Sequence, residues 1–173
     1  MEEIMFVTRG DFVMPSVALT AARFSAKYGI GAFGETLFAN TVLDPKKKDG
    51  KNMVVYFDSD DEGRDGGSVR TLASRPTWFI DKMIVSASAG DTASANGLLR
   101  RHINFLCSVR SEPVFCDDDQ TWYRFLHFAM IGRPRRPGRT SAGMELYEAN
   151  LRVQWRPMSS NDPDYLTVTG IVV

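Results

Sequence analysis

The stretch MELYEANLRVQWR, residues 144–156, decides the fold class more clearly than any other part of the chain. Apolar and polar side chains alternate along it. The apolar set is Tyr147, Ala149, Leu151, Val153 and Trp155, and the polar set is Glu148, Asn150, Arg152, Gln154 and Arg156. A period of two predicts a β-strand. One polar face predicts a sheet that meets water or a polar partner on that side.

Two other segments have the periodicity of helices. Residues 92–109 carry an apolar stripe at helical spacing, and Asp91 precedes them as a candidate N-cap. The stripe consists of Ala95, Leu98, Leu99, His102, Phe105, Leu106 and Val109. Residues 15–28 predict a shorter first helix, which ends at a glycine-rich turn.

Short apolar and aromatic runs predict the remaining strands. These are residues 36–43, 53–57, 76–87, 121–131 and 165–173. The intervening segments are predicted to be an N-terminal extension at 1–14, extended loops at 58–75 and 132–143, and a turn-rich loop at 110–120. Most connections are too short for parallel crossovers. We therefore expect one α+β domain over residues 1–173, a mainly antiparallel sheet with two helices packed on one face.

The composition excludes several classes of protein. The chain has 173 residues, with 21 Lys and Arg against 21 Asp and Glu. The balance argues against a dedicated nucleic-acid binder. No apolar run reaches the roughly 18 residues of a transmembrane helix, and the acidic N-terminus is unlike a signal peptide.

Two motifs resemble ligand sites but depart from them at decisive positions. Gly29, Gly31 and Gly34 form a G-x-G-x-x-G pattern, yet it follows a helix and precedes a strand, the reverse of a dinucleotide site. We expect these glycines to cap the helix and turn the chain. The sequence DSDDEG at 58–63 begins like an EF-hand loop, but Val69 occupies the position that needs a bidentate carboxylate. A weak Ca²⁺ or Mg²⁺ site, and a small enzyme built on it, remain alternatives.

The cysteines and histidines provide no strong catalytic pattern. Cys107 and Cys116 have a spacing that fits no zinc motif. His102 shares the apolar stripe, so we expect a packed, hydrogen-bonded core residue. His127 is expected on the same strand face as Phe125, and a thiol pairing with Cys116 stays an alternative. We predict no enzymatic activity, no cofactor and no bound metal.

Opposite charges are concentrated in two predicted loops. The basic residues are Arg133, Arg135, Arg136 and Arg139, and the acidic residues are Asp58, Asp60, Asp61, Glu62 and Asp65. Oppositely charged arms on a neutral domain suit head-to-tail association, so we expect these residues at an interface with another subunit or partner. An alternative is a nucleic-acid-binding module that uses the arginines, although no aromatic residues are interleaved with them.

The element order, together with three stretches of sequence, resembles the tail terminator proteins of long-tailed bacteriophages, which include minor capsid and neck proteins. The stretches are Arg75-Pro76, DTASANGLLRRHINFL at 91–106 and LYEANLRVQW at 146–155. The resemblance covers residues 15–156 and rests on element order and hydrophobic pattern.

The resemblance implies a structural virion protein of the tail–head junction, assembled in the host cytoplasm. Such a protein forms a ring, usually a hexamer, that caps the tail tube, ends its polymerisation and joins it to the head. The implied partners are the tail tube protein, the head–tail connector protein, and DNA that passes non-specifically through the lumen. No membrane is implied. Another neck or tail component is the alternative.

Overall fold

The alternating stretch becomes the second of two long strands at the centre of one sheet. A computed structural model of the chain describes residues 15–41, 52–59, 65–66, 79–117, 119–139 and 143–172. The helices are α1 (Val17–Lys27), α2 (Thr92–Ser108) and α3 (Tyr165–Thr169). The strands are β1 (Leu37–Ala39), β2 (Met53–Asp58), β3 (Asp65–Gly66), β4 (Phe79–Ala89), β5 (Glu112–Cys116), β6 (Thr121–Arg139) and β7 (Glu145–Pro157).

Within the described residues the sheet has seven strands, of which six follow the order β1-β2-β4-β7-β6-β5, and the short β3 pairs with β4. Among the strand pairs of the described residues, β1–β2 is parallel and the others are antiparallel. Strand β7 pairs with β4 from Trp155 opposite Phe79 to Glu145 opposite Ala89. Trp155 is fully buried and Arg152 is exposed, which is the alternation that the sequence predicts. The α+β class with a mainly antiparallel sheet is therefore confirmed.

Helices α1 and α2 cover the same face of the sheet. In α1, Phe24 packs edge-on against Phe125 of β6, with ring centroids 5.4 Å apart. In α2, His102 contacts Tyr56 of β2. Asp91 caps α2 by accepting a hydrogen bond from the Ser94 amide at 2.8 Å, as the sequence predicts. The opposite face of the sheet, which we call the open face, carries the polar residues of β7.

Two predicted elements are wrong. Residues 112–116, expected within a loop, form β5 against β6. There, buried Val114 and Cys116 flank exposed Phe115, an alternation that Pro113 obscured. Residues 165–173, expected to be a strand, begin instead with helix α3, which Gly170 ends in a left-handed conformation at φ 72°. Their β-branched composition favours a strand, but within the described residues no sheet neighbour is available to them.

Several predicted boundaries also move. Within the strand expected at 36–43, residues Leu37–Ala39 form β1, and Asn40, which follows, adopts φ 53°. The strand expected at 76–87 is described from Phe79 and continues to Ala89. Strand β6 runs on to Arg139 through the predicted loop at 132–143. The N-terminal extension at 1–14 and most of 59–75 lie outside the described residues.

The continuation of β6 has a physical reason. On its outer side β6 pairs with β5 only as far as Phe125, so its later residues form a sheet edge within the part of the chain that is described. Proline lacks an amide proton and is tolerated at such edges. Pro134 and Pro137, which suggested a loop, are therefore compatible with the strand. No helix in the described residues is long and apolar enough to span a membrane.

Candidate functional site

A buried network of polar side chains, which we call the polar network, links the two helices to the sheet. Tyr56 of β2 shares hydrogen bonds with Ser25 of α1, at 3.0 Å between the oxygens, and with His102 of α2, at 2.6 Å between the phenol oxygen and Nδ1. The phenol has one proton, so it donates to one neighbour and accepts from the other. His102 is 2% exposed and Tyr56 is fully buried. This confirms His102 as a packed, hydrogen-bonded core residue.

Burial keeps both titratable residues of the polar network neutral. It lowers the pKa of His102 to about 4, with a smaller contribution from the positive charge of Arg101. Burial also raises the pKa of Tyr56 well above its ordinary value, against a smaller opposing effect of the Ser25 hydrogen bond. Since solvent barely reaches either group, the polar network is suited to joining α1, β2 and α2 rather than to proton transfer with a substrate.

The middle glycine of the G-x-G-x-x-G pattern packs against the polar network. Gly31 has φ 84°, and a Cβ there would lie 3.0 Å from the Cβ of Leu37 and 3.4 Å from Cε1 of His102. Gly29, at φ 79°, donates its amide to Ala26 in the last turn of α1. The prediction that these glycines end the helix and turn the chain is confirmed.

The expected face of His127 is wrong. The β6–β7 register shifts between Phe125, opposite Trp155, and His127, opposite Gln154. This bulge moves His127 to the open face, while Phe125 stays in the core. Cys116 is buried, and its Sγ accepts a hydrogen bond from Thr20 Oγ1 at 3.6 Å. The structure therefore does not bring His127 and Cys116 together as a catalytic pair.

The first residue of the predicted acidic interface has a structural role instead. Asp58 ends β2, and its carboxylate accepts hydrogen bonds from the Ala18 amide at 2.9 Å, Ser16 Oγ at 2.6 Å and Asn40 Nδ2 at 3.0 Å. The carboxylate thus caps the N-terminus of α1, where an anion is favoured. Asp58 therefore has a structural role within its own subunit, and its place at an intersubunit contact stays a prediction.

The other acidic residues of the predicted interface follow β2 in the sequence. Asp60, Asp61 and Glu62 lie outside the described residues. Asp65 lies in β3 opposite Ile80, with only its backbone described. Their contribution to an interface therefore stays a prediction.

The arginine arm, which we define as residues 133–139, is bound to its own hairpin partner. Arg135 pairs with Glu148, with Nη2 and Oε1 2.6 Å apart. Arg136 and Arg139 both bind Glu145, at 2.6 Å and 3.0 Å. The predicted loop is thus the far end of the β6–β7 hairpin, with acidic residues of β7 neutralising three arginines.

Arg133 differs from its neighbours in the arm. It is exposed, and its side chain makes no hydrogen bond or ion pair with any residue in the described ranges. Glu145, in contrast, is 5% exposed. The Arg136 hydrogen bond, followed by that of Arg139, holds the pKa of Glu145 below its ordinary range. Glu145 therefore holds Arg136 and Arg139 in place, and the exposed Arg133 can contact another molecule.

Sequence reasoning missed a second charged cluster, which fixes the C-terminal segment on the open face. Arg124 and Arg156 lie opposite each other on β6 and β7. Asp162 binds Arg156 at 2.8 Å, and Asp164 forms an ion pair with Arg124. These hydrogen bonds lower the pKa of both carboxyl groups. The alternation of arginines with apolar residues before an Asp-Pro-Asp turn was the available signal.

The described side chains include no group of three potential metal ligands from His, Cys, Asp and Glu. Comparison with protein-family models and with curated protein sequences gave no match to the chain. The surfaces that remain as candidate functional sites are the arginine arm with the adjoining open edge of β6, and the open face of the sheet.

Proposed function

We propose that this chain is a structural virion protein of the tail–head junction, a subunit of a ring that caps the tail tube. The ring ends tube polymerisation and joins the tube to the head connector. The resemblance in element order supports the assignment, and so does the arrangement of the two helices on one face of a mainly antiparallel sheet. The protein acts through association, without catalysis.

The observation that carries this proposal is the exposed end of the β6–β7 hairpin. Beyond Phe125, β6 presents an outer edge that pairs with no other described strand, and residues 132–137 are exposed. A long open edge presents unpaired backbone donors and acceptors to another chain. A heterologous contact made by this edge closes into a ring when the rotation between subunits allows it.

The charges of the arm fit a contact between subunits better than a separate nucleic-acid-binding function. Glu145 and Glu148 neutralise Arg135, Arg136 and Arg139 within the hairpin, which reduces the field available to a polyanion. Arg133 remains for an acidic neighbour. The acidic segment of a second copy, which includes Asp60, Asp61 and Glu62, is the partner that we expect for it.

Purified protein should form rings at micromolar concentration and bind the ends of tail tubes. Mass photometry measures the number of subunits, and negative-stain electron microscopy with tail tubes measures the capping of ends. A strictly monomeric protein that never associates with tubes would contradict the proposed function.

A matched pair of charge reversals tests the role of the arm. Arg133→Glu should weaken ring formation, because it places a carboxylate against the acidic segment of the neighbour. Lys27→Glu makes the same change in charge at an exposed position on α1 and should leave assembly unchanged. Equal assembly of the two variants would remove the arm from the subunit contact.

A further inference from the structure

A largely apolar groove lies between α2 and the outer edge of β6. Its volume is about 370 Å³, and its lining includes Leu99, Arg100, Ile103, Asn104, Met130 and Pro134. Met130 shares a face of the sheet with its register partner Leu151, which is fully buried, yet Met130 itself is 41% exposed. The groove therefore continues the apolar core to the surface of the described part of the chain.

Beside this groove, a short stretch of β6 has no strand on its outer side among the described residues. Strand β5 pairs with β6 only as far as Phe125, and the backbone of Met130 hydrogen-bonds the Cys107 thiol of α2. Pro134 lacks an amide proton and interrupts continuous pairing further along. The stretch between these points is residues 131–133. A short extended segment therefore fits this edge better than a long strand.

The C-terminal segment has complementary properties. Residues 165–172 are uncharged and rich in β-branched side chains, a composition that favours pairing in a sheet. Helix α3 has no buried residue, and Ile171 and Val172, which follow it, are 51% and 83% exposed. An added strand binds a sheet edge through backbone hydrogen bonds and inserts alternate side chains into adjoining pockets. The groove and the edge of β6 provide both kinds of contact for this segment.

The C-terminal segment is fixed too far from the groove of its own subunit to fill it. Asp164 forms an ion pair with Arg124 near the start of β6, on the open face, whereas the groove lies on the helical side. At the usual rise of a strand, Arg124 is about 25 Å from Gly132, and residues 165–172 span only roughly 17 Å. While Asp164 stays paired, the segment can therefore reach only the groove of another copy.

The distribution of charge supports a contact between these two regions. Strand β3, which includes Asp65, pairs with the first residues of β4, and these lie in line with Phe125 of β6. The acidic segment thus joins the sheet at the end from which the C-terminal segment leaves. Arg100, on the rim of the groove, and Arg133 are both exposed. Contact between the two regions brings the acids of one copy toward the arginines of the next.

We propose that residues 170–172 of one copy add as a short strand to residues 131–133 of the next copy. Because successive side chains of a strand point to opposite faces, either Ile171 or Val172 enters the groove. Segment and groove are different surfaces, so the contact is heterologous and can close into a ring. The inference rests on the proposed ring function and names the segment that joins neighbouring subunits.

Mass photometry over a concentration series tests this contact. The segment variant Ile171→Ser/Val172→Ser should raise the concentration needed for half-assembly roughly tenfold, the effect of losing one buried apolar side chain. The groove variant Met130→Lys should do the same, because it places an ammonium group in the apolar groove beside Arg100. Leu166→Ser removes a 56% exposed apolar side chain from α3 and should assemble as the wild type does.

Mixing the two assembly variants separates a lost contact from a misfolded protein. The segment variant keeps its groove and the groove variant keeps its segment, so an equimolar mixture should form dimers but no closed rings. Melting curves check that each variant is folded. Normal assembly of either assembly variant, an equal loss in Leu166→Ser, or a mixture that forms no dimers would overturn the inference.

The inference and the proposed ring function can fail separately. Rings that cap tubes in both assembly variants would refute the contact and retain the ring. A monomeric wild type that binds a labelled peptide of residues 165–173 in fluorescence anisotropy, with binding lost in Met130→Lys, would refute the ring and retain the contact. A monomeric wild type that does not bind this peptide would refute both.

Discussion

Acidification should destabilise the folded protein through His102. The imidazole is neutral in the core, where burial lowers its pKa to about 4. An unfolded chain protonates histidine near pH 6.5. The unfolded state therefore binds more protons between these two values, and the free energy of unfolding falls as the pH falls through this range. Above about pH 6.5 the stabilisation is complete, and below about pH 4 no more of it is lost.

The magnitude follows from the two pKa values. A folded value of about 4 against an unfolded value of 6.5 corresponds to a total of about 3 kcal/mol. Linkage places most of this loss, about 2 to 3 kcal/mol, between about pH 7.5 and about pH 4.5. Because His102 is 2% exposed, solvent screening does not reduce this value appreciably.

The assay is urea unfolding at several pH values over this range, followed by far-ultraviolet circular dichroism. His102→Gln keeps a hydrogen-bonding side chain beside Tyr56 but cannot take up a proton, so its stability should change much less with pH. Subtracting the free energy of unfolding of the variant from that of the wild type removes the contribution of the carboxylates, which both proteins share. Because the pKa values of these carboxylates are lowered, their contribution to stability is lost mainly at lower pH. His127→Gln removes the other histidine, leaves the Tyr56 contact intact and serves as the control.

Parallel curves of stability against pH for wild type and His102→Gln would refute the reasoning, whatever the absolute stability of the variant. A loss of pH dependence in His127→Gln, but not in His102→Gln, would show that His127 causes the effect. Either result would mean that the buried imidazole is not kept neutral by the core.

Two further predictions concern carboxylates that the chain uses internally. Asp58→Ala should lower the free energy of unfolding by about 2 kcal/mol in urea denaturation, because two donors at the start of α1 and the amide of Asn40 lose their acceptor. Glu35→Ala, at an exposed position, should change the free energy of unfolding little. Glu145→Gln should speed hydrogen exchange of the amides at 133–139, because Arg136 and Arg139 lose their ion pairs. Exchange in β4 should stay slow. Unchanged exchange in the arm would show that backbone pairing alone holds the arm in place.

Much of the architecture was predictable from local patterns. The alternation at 144–156 identified the central strand β7, and the apolar stripe at 92–109 identified α2 and the burial of His102. Both signals are strong because long elements repeat their periodicity many times. Residues 165–173 show the converse, because a short β-branched run has no fixed structure until a sheet neighbour is present or absent.

The candidate site was less predictable, because its charges act across elements. The arginines of the arm were identified as a charged cluster, but their partners Glu145 and Glu148 became apparent only from the hairpin register. Asp58 had the sequence context of an acidic loop, yet it caps a helix distant in sequence. Arg124 and Arg156 face each other on strands whose pairing no local pattern specifies, and Asp162 reaches them only after folding.

The sequence by itself determined the class of the fold, the two main helices and the central strand, because these depend on periodicities within one segment. Tertiary structure alone decided which charges are neutralised and which remain exposed. The reason is that an ion pair or a cap depends on the distance between atoms that the chain brings together only on folding. For this protein, that difference separates the hydrogen-bonded Asp58 from the exposed Arg133.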